Sequence, residues 1–596
     1  MRYLRTRVAL TVGAVLAVAM TILLAGSAGS AAAAPQYDIS TLAGKVASLH
    51  GTAGLQIRFS AFIEEEAEDT SAPPVSSPIT PTFVPGSPLD GNSILPPDVT
   101  VNQDTAGAPQ NETAIAVNPN NPDQVVAAAN DYVSRTWSCN ISGTPCSALG
   151  DAYSGTYVSN DGGSTWCCTS TDPQHLGTLI PGVERLTGGP YDAGGDPSVA
   201  WDTQGNVFYA GLGFNRASAP NTVAVNRGTF DGSGNLSWSA PTFINQTTSP
   251  STLNDKEWIA VDDNTSSPFR DRIYVTFTRF LFNANNGAYT QSPIFFASSS
   301  DGGATFTTPK SIAGNVLYSQ GSRPVVGPDG SLYVFWDGAR RHDELDSTWV
   351  AKSTDGGATW EKPVQIASLN ETEELANTLF RVNSYPAAAA APNGDLYATW
   401  TTEDEDDGSV AVWSKSTDGG QTWTAPARVF APATRTPIGY PVAQPSGGTL
   451  NAPDPAGPVE DVFPAVAIAP DGRAVFSSYR GDVVSPWQTC ASSPPSPESR
   501  INCLALGDYI HNTRVDYWVT DGTDTSVVST HPINTRNGFG GGFFGDYTDI
   551  AYGSDGALHA FWTDSNNKQS VVWWFGLQFV PTRINQEDVA VWNGTF

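Results

Sequence analysis

Residues 353–360 read Ser-Thr-Asp-Gly-Gly-Ala-Thr-Trp, and near-copies stand at 159–166 (SNDGGSTW), 299–306 (SSDGGATF) and 416–423 (STDGGQTW). The physics of the string is local. An Asp carboxylate in a tight turn accepts backbone N–H groups, the glycines supply positive φ, and the closing aromatic anchors the turn in the sheet interior. The steps of 54 residues from Asp301 to Asp355 and 63 from Asp355 to Asp418 suit one four-stranded antiparallel sheet per turn. The longer step from Asp161 to Asp301 leaves room for a further unit, where FDGSGNLSW (230–238) reads as an eroded copy.

Upstream of each such turn lies a second recurring element: a short apolar strand, a turn, and a second strand of β formers. It occurs at 112–119, 196–210, 257–263 with 272–277, 323–336, 385–400, 463–479 and 546–562. The turns read P-D-G, P-N-G or S-D-G, so each copy is a hairpin. Seven hairpins at this period predict an all-β fold, a β-propeller of seven blades, with six if the terminal strands pair differently.

Composition agrees with that class. The 596 residues include 57 Gly, 44 Pro, 17 Trp and 19 Tyr, and only 15% are charged, a balance poor in helix formers. Asp and Glu outnumber Lys and Arg 59 to 30, giving a net charge of −29. That excludes binding that tracks a phosphate backbone and disfavours an anionic membrane surface. Met1–Ala34 carries Arg2, Arg5 and Arg7, then an apolar run from Val8 to Leu24, then small residues, and reads as a secretory signal peptide; an uncleaved anchor is the alternative. Residues 35–105 form a Pro/Ser-rich arm, with local structure expected only within Leu42–Ala67, and 106–596 form the propeller. In an exported chain the six cysteines, Cys139, Cys146, Cys167, Cys168, Cys490 and Cys503, are expected as disulfides, with their pairing open.

The four Asp boxes with their hairpins resemble the sialidase superfamily of Asp-box, or BNR-repeat, β-propellers, over Asn111–Phe596. The resemblance implies that Asp161, Asp301, Asp355 and Asp418 lie on an outer rim and are structural. The superfamily spans sialidases, other glycosidases, polysaccharide lyases and non-catalytic proteins, so fold and chemistry are separate questions. A true sialidase uses three arginines on the substrate carboxylate, a Tyr nucleophile paired with a Glu, and an Asp acid/base. Here the early Arg-Ile-Pro motif is absent, and the closest string, Ser322-Arg323-Pro324, follows the second full box.

In a propeller the innermost strands line a central channel and ligands sit at one mouth, so the residues opening each repeat are the place for chemistry. Opposed carboxylates with Arg and Tyr on one funnel suit acid/base work on a sugar. The expected catalytic residues are Glu257, Asp196, Asp546, Tyr385 and Tyr547, and the expected substrate-binding residues are Arg323, Arg381, Arg480, Glu112 and Asp461. No metal and no cofactor is expected, and the expected partner of the secreted, monomeric protein is a glycan or polysaccharide. The leading reading is an exo-glycosidase, with a non-catalytic glycan- or protein-binding propeller second and a uronic-acid lyase third. Three further strings were weighed: Arg340–Glu344 (RRHDE) as lyase base and neutraliser or solvated loop, Gly538–Gly545 (GFGGGFFG) as sugar-stacking lid or channel crossing, and Glu403–Asp407 (EDEDD) as solvated charge rather than a calcium loop.

Overall fold

The computed structural model describes residues 36–52, 98–102, 109–132, 140–141, 144–145, 152–166, 179–341, 343–372, 381–434, 442–443, 449–450, 458–483, 514–530, 533–534, 543–574 and 579–596. Seven antiparallel blades follow one another along the chain, and the protein is a seven-bladed β-propeller. Their innermost strands are Gln110–Asn118, Ala193–Trp201, Thr252–Val261, Tyr318–Val326, Ala387–Ala390, Glu460–Ile468 and Asp549–Tyr552. The six-blade alternative fails at the closure. The short strand Val99–Thr100 pairs with Phe579–Gly594 and becomes the outermost strand of blade 7, although the sequence reading assigned it to the arm. The six cysteines, the leader, His342 and residues 538–542 lie outside the described residues.

Why the strands are apolar on both faces follows from the stacking. In blade 4, Leu332, Val334 and Trp336 pack with Tyr274, Ile294 and Phe296 of blade 3, while Tyr333 and Phe335 pack with Leu396, Ala398 and Trp400 of blade 5. Each blade thus contributes to two inter-blade cores, which removes the polar alternation of a half-buried strand. Each large side chain buried there contributes about 1.5–3 kcal/mol. Trp336, Trp349, Trp400, Trp562 and Trp592 are among the fully buried ones.

The boxes sit where the third strand turns into the fourth. In the box of blade 4, Thr359 N and Thr359 Oγ1 donate to Asp355 at 2.8 and 2.6 Å, and Gly357 N donates to Ser353 Oγ at 2.9 Å. Gly357 has φ 85°, and a Cβ there would lie 2.2 Å from Phe296 of blade 3, so the close approach requires glycine. Trp360 packs edge-on against the same Phe296, and Trp423 of blade 5 does so against Phe335 of blade 4. The box aromatics therefore knit neighbouring blades together. The eroded copy in blade 2 keeps the device with Asn in place of Thr: Asn235 N and Nδ2 donate to Asp231 at 3.0 and 2.9 Å.

Antiparallel order puts the box turns and the P-D-G turns at one end of every blade, and the start of each inner strand at the other. Over this second end lies the N-terminal segment. Its helix Leu42–Ser48, capped by Thr41, seats Ile39, Val46 and Leu49 on Leu253, Phe280 and Phe282 of blade 3. Among the described residues no helix is long and apolar enough to cross a membrane.

Candidate functional site

Five of the seven inner strands break step near the axis. Register shifts fall between Asn111 and Ala114, Gly195 and Ser198, Asp255 and Trp258, Gln320 and Arg323, and Val462 and Ala465. Each is a bulge that places two residues against one and re-aims a side chain. Its first residue is left-handed: Glu112 (φ 57°), Asp196 (53°), Lys256 (49°), Phe463 (54°) and Gly321 (65°). Non-glycine residues in this region cost of order 1–3 kcal/mol each, and four in one ring mark a position that the surrounding structure imposes. Counted back from the hairpin turn, the same column continues with Tyr385 and Tyr547. Gly321 suits its place, because a Cβ there would lie 2.4 Å from the Tyr385 ring.

The acidic members of this ring converge on one cation. Lys256 Nζ lies 2.7 Å from Asp546 Oδ2, 3.1 Å from Asp196 Oδ2 and 3.2 Å from Glu112 Oε1. Arg381, from the connection into blade 5, reaches Asp546 Oδ1 at 2.5 Å, and Asn383 Nδ2 donates to the Asp546 carbonyl at 2.9 Å. Asn130 Nδ2 donates to Glu112 at 2.9 Å, and Asp196 N donates to Asn130 Oδ1 at the same distance. A second tier lies beneath. Arg323 Nη2 pairs with Asp549 Oδ1 at 2.6 Å and stacks 3.6 Å over the Trp258 ring, which meets Tyr547 edge-on.

Burial sorts the carboxyls into two kinds. Burial, reinforced by the charge of Asp196, pushes Glu257 well above the usual carboxylate range, and neither of its oxygens has a hydrogen-bond partner. Burial and then Asp196 raise Glu112 as well, and burial lifts Asp255 to about 7. Asp546 goes the other way: burial opposes ionisation, but Arg381 and Lys256 outweigh it and hold the group below its ordinary value. Lys256 is raised: burial opposes its charge, but Asp196, Asp546, Glu112 and Asp255 together more than offset it. One cavity lining therefore carries a carboxyl pushed above its ordinary pKa and one held below it, the division that acid/base chemistry needs. Burial raises both Tyr385 and Tyr547 well above the usual phenol range, and Tyr547 donates to the Pro197 carbonyl at 3.2 Å. Neither is an activated phenolate.

A cavity of about 40 Å³ opens on this cluster, lined by Lys256, Glu257, Trp258, Arg323, Tyr385 and Asp546 among others. It has room for a few waters. Of the ten residues expected from sequence, Glu112, Asp196, Glu257, Arg323, Arg381, Tyr385, Asp546 and Tyr547 meet at the axis. Asp461 and Arg480 do not line the cavity. They pair with each other at 2.9 Å in blade 6, with Arg480 over Phe430 and Trp518, and burial raises Asp461 to about 7. Sequence reasoning missed Lys256, Asn130 and Asn383. Phe543 and Phe544 are buried, with Arg381 over Phe543, so this described end of the glycine-rich string packs inward instead of offering a sugar a stacking face. In the EDEDD string, Asp404 accepts from Asp406 N and Asp407 N, and Arg428 pairs with Asp404 and Asp407.

The model of the BNR repeat-like domain matches residues 330–509. That match covers about a third of the chain. The chain is a seven-bladed β-propeller with a BNR repeat-like segment. No curated protein matches the sequence significantly. Among solved structures, this propeller is similar to a protein of unknown function from Dyadobacter fermentans at 14% identity, covering 83% of this chain and 97% of that one, with a TM-score of 0.38. It is similar to a Hadza microbial sialidase at 12% identity, over 84% and 95% of the two chains, with a TM-score of 0.39. It is also similar to the α-L-arabinofuranosidase Arb93A of Fusarium graminearum at 10% identity, over 66% and 91%, with a TM-score of 0.33. What the propeller does must come from the residues at its own axis.

Proposed function

We propose that the protein is a secreted carbohydrate-active enzyme, an exo-acting glycosidase that works at the axial mouth. The observation that carries this reading is that Glu257, raised by burial and without a donor among the described residues, and Asp546, lowered by Arg381 and Lys256, line one cavity. Glu257 is the general acid: its proton passes to the glycosidic oxygen as the bond to the anomeric carbon breaks. Asp546, fixed by Arg381 and Lys256, supplies negative charge to the oxocarbenium-like transition state. Trp258 and Tyr385 give the apolar wall against which a sugar face rests. Water adds to the anomeric carbon and returns a proton to the Glu257 carboxylate, and the products are a free sugar and the shortened glycan.

The test is turnover of a glycan panel that includes neutral, sialylated and uronic-acid substrates, following reducing ends and unsaturated products together. Release by the wild type that is lost in Glu257→Gln and Asp546→Asn supports the reading. Unsaturated products would mean a lyase. A second reading, a non-catalytic propeller that binds glycan or protein, is favoured by the small cavity and by the full ion pairing of Lys256. Binding without turnover by the intact fold would establish it.

A further inference from the structure

A second buried cluster lies in blade 4 on its blade 5 side, joined to the Lys256 ring only through the contact of Gln320 with Asp255. Gln320, Asp337 and Thr348 are successive register partners across three strands of blade 4, so their side chains share one face with Cβ atoms about 4.5–5.5 Å apart. All three are fully buried. Among the described residues, Gln320 Oε1, both oxygens of Asp337 and Thr348 Oγ1 have no hydrogen-bond donor, and Asp337 has no ion pair. Gln320 spends its amide N–H on Asp255 at 3.0 Å, and its carbonyl oxygen is left buried without a donor among the described residues. Glu371, on the connection that leaves the outer strand Val364–Ser368, comes within hydrogen-bond reach of Asp337, and Asp346 stands near enough to act on the same carboxyl.

Buried oxygens without donors are rare, because each costs about 1–3 kcal/mol when left unmade. Four in one row, facing a second carboxyl, need something positive between them. We infer that the blade 4–blade 5 interface holds a hard divalent cation, calcium by its chemistry, on Asp337, Glu371, Gln320 Oε1 and Thr348 Oγ1. Two carboxylates neutralise the ion, and an amide carbonyl and a hydroxyl extend an all-oxygen donor set of the kind calcium takes. Zinc and copper, which prefer nitrogen and sulfur, do not suit it. The ion would pin the connection that continues to Arg381 and Asn383, the two residues that hold Asp546. The inference is independent of whether the axial site is catalytic.

The experiment uses the whole mature chain, stripped with EDTA and returned to calcium chloride or magnesium chloride alone. Expected are a single saturable calcium site by calorimetry and a melting temperature several degrees higher with calcium than after chelation. Magnesium, which demands octahedral geometry and gives up its waters reluctantly, should give a smaller shift. Asp337→Asn and, separately, Glu371→Gln should lose the calcium response. The inference is overturned if calcium and EDTA leave the melting temperature unchanged, in which case the two acids share a proton. It is equally overturned if both variants keep the full response, which would place the bound ion elsewhere. Should Asp337→Asn fail to fold, Glu371→Gln and the calcium content of the isolated wild-type chain decide.

Discussion

Lys256 Nζ lies 2.7 Å from Asp546 Oδ2, tying the inner strand of blade 3 to the entry of blade 7 across the axis. The ammonium also serves Asp196 and Glu112, so one side chain neutralises carboxylates from three different blades. This ionic knot ties the inner strand of blade 3 to blades 1, 2 and 7 at the axis.

Replacing Lys256 should therefore damage the fold as well as the site. Lys256→Met leaves Asp546, Asp196 and Glu112 without their shared cation, and breaking one partner out of a buried network typically costs about 3–5 kcal/mol. Urea unfolding should show that loss. A second change, Asp546→Asn on the Lys256→Met background, should recover part of it by removing the uncompensated charge. A loss below about 1 kcal/mol in Lys256→Met would mean that the carboxyls simply take up protons, and that the lysine is not what holds the axis together.

Glu257 predicts the opposite split. Because burial raises its pKa and no donor among the described residues reaches its oxygens, Glu257→Gln should barely move the unfolding midpoint at a pH below that raised pKa. Turnover, by contrast, should fall by about 100-fold or more, the usual worth of a general acid. In the wild type kcat/KM should fall as pH rises through the elevated Glu257 pKa, and that limb should vanish in the variant. A variant that melts early but retains turnover would remove Glu257 from the acid role.

How much of this was legible in sequence depends on one column of residues. Glu112, Asp196 and Tyr385 stand on the axial position itself, and the sequence named them. In blade 3 it named Glu257, one residue past the axial Lys256; in blade 6 it named Asp461, two before Phe463. The cause is the bulge. Period-2 reading assigns alternate residues to alternate faces, and an inserted residue shifts that phase without changing composition. Aligning the seven repeats on their hairpin turns, instead of on their first polar residue, would have put Lys256 in the ring. Asn130 comes from a second strand and Asn383 from the approach to an inner one, so no property of the inner strands' own sequence pointed to them. The blades themselves were legible because each turn repeats its own chemistry locally, whereas the site is assembled from residues hundreds of positions apart.

The stability of the protein should have opposing pH limbs with separate causes. Glu184 is buried, accepts from Ser154 N at 3.0 Å and Ser154 Oγ at 2.7 Å, and is raised by burial from 4.5 to about 7. Its folded pKa lies above its unfolded one, so the native state binds the extra proton. Its contribution is complete below about pH 4.5 and is lost as pH rises to about 7, by an amount of order 3 kcal/mol at most. Asp255 and Asp461, also raised to about 7, act in the same direction. The Asp-box carboxylates act in the other: hydrogen bonds from their threonines lower Asp301 and Asp355 to about 2, so their contribution is present above about pH 4 and lost toward pH 2. Melting temperatures across this range should show a maximum on the acid side of neutral. Glu184→Gln should flatten the decline toward pH 7, and an unchanged slope would show that Glu184 ionises in the native state.

Asp355→Ala separates the rim from the axis. The substitution removes the acceptor for Thr359 N, Thr359 Oγ1 and Ser353 Oγ at 2.8, 2.6 and 2.8 Å. These are solvent-facing bonds, so the net cost should be about 1–2 kcal/mol, well below that of the buried bonds they resemble. The box turn lies at the end of blade 4 opposite the start of its inner strand, while Trp360 beside it packs on Phe296 of blade 3. Loosening the turn should thus weaken the contact between blades 3 and 4 and lower the melting temperature, and leave any turnover or glycan binding at the axial mouth unchanged at a temperature where the variant is folded. A loss of ligand response in a fully folded Asp355→Ala would instead couple the rim to the axis, and the box could no longer be treated as a purely structural clasp.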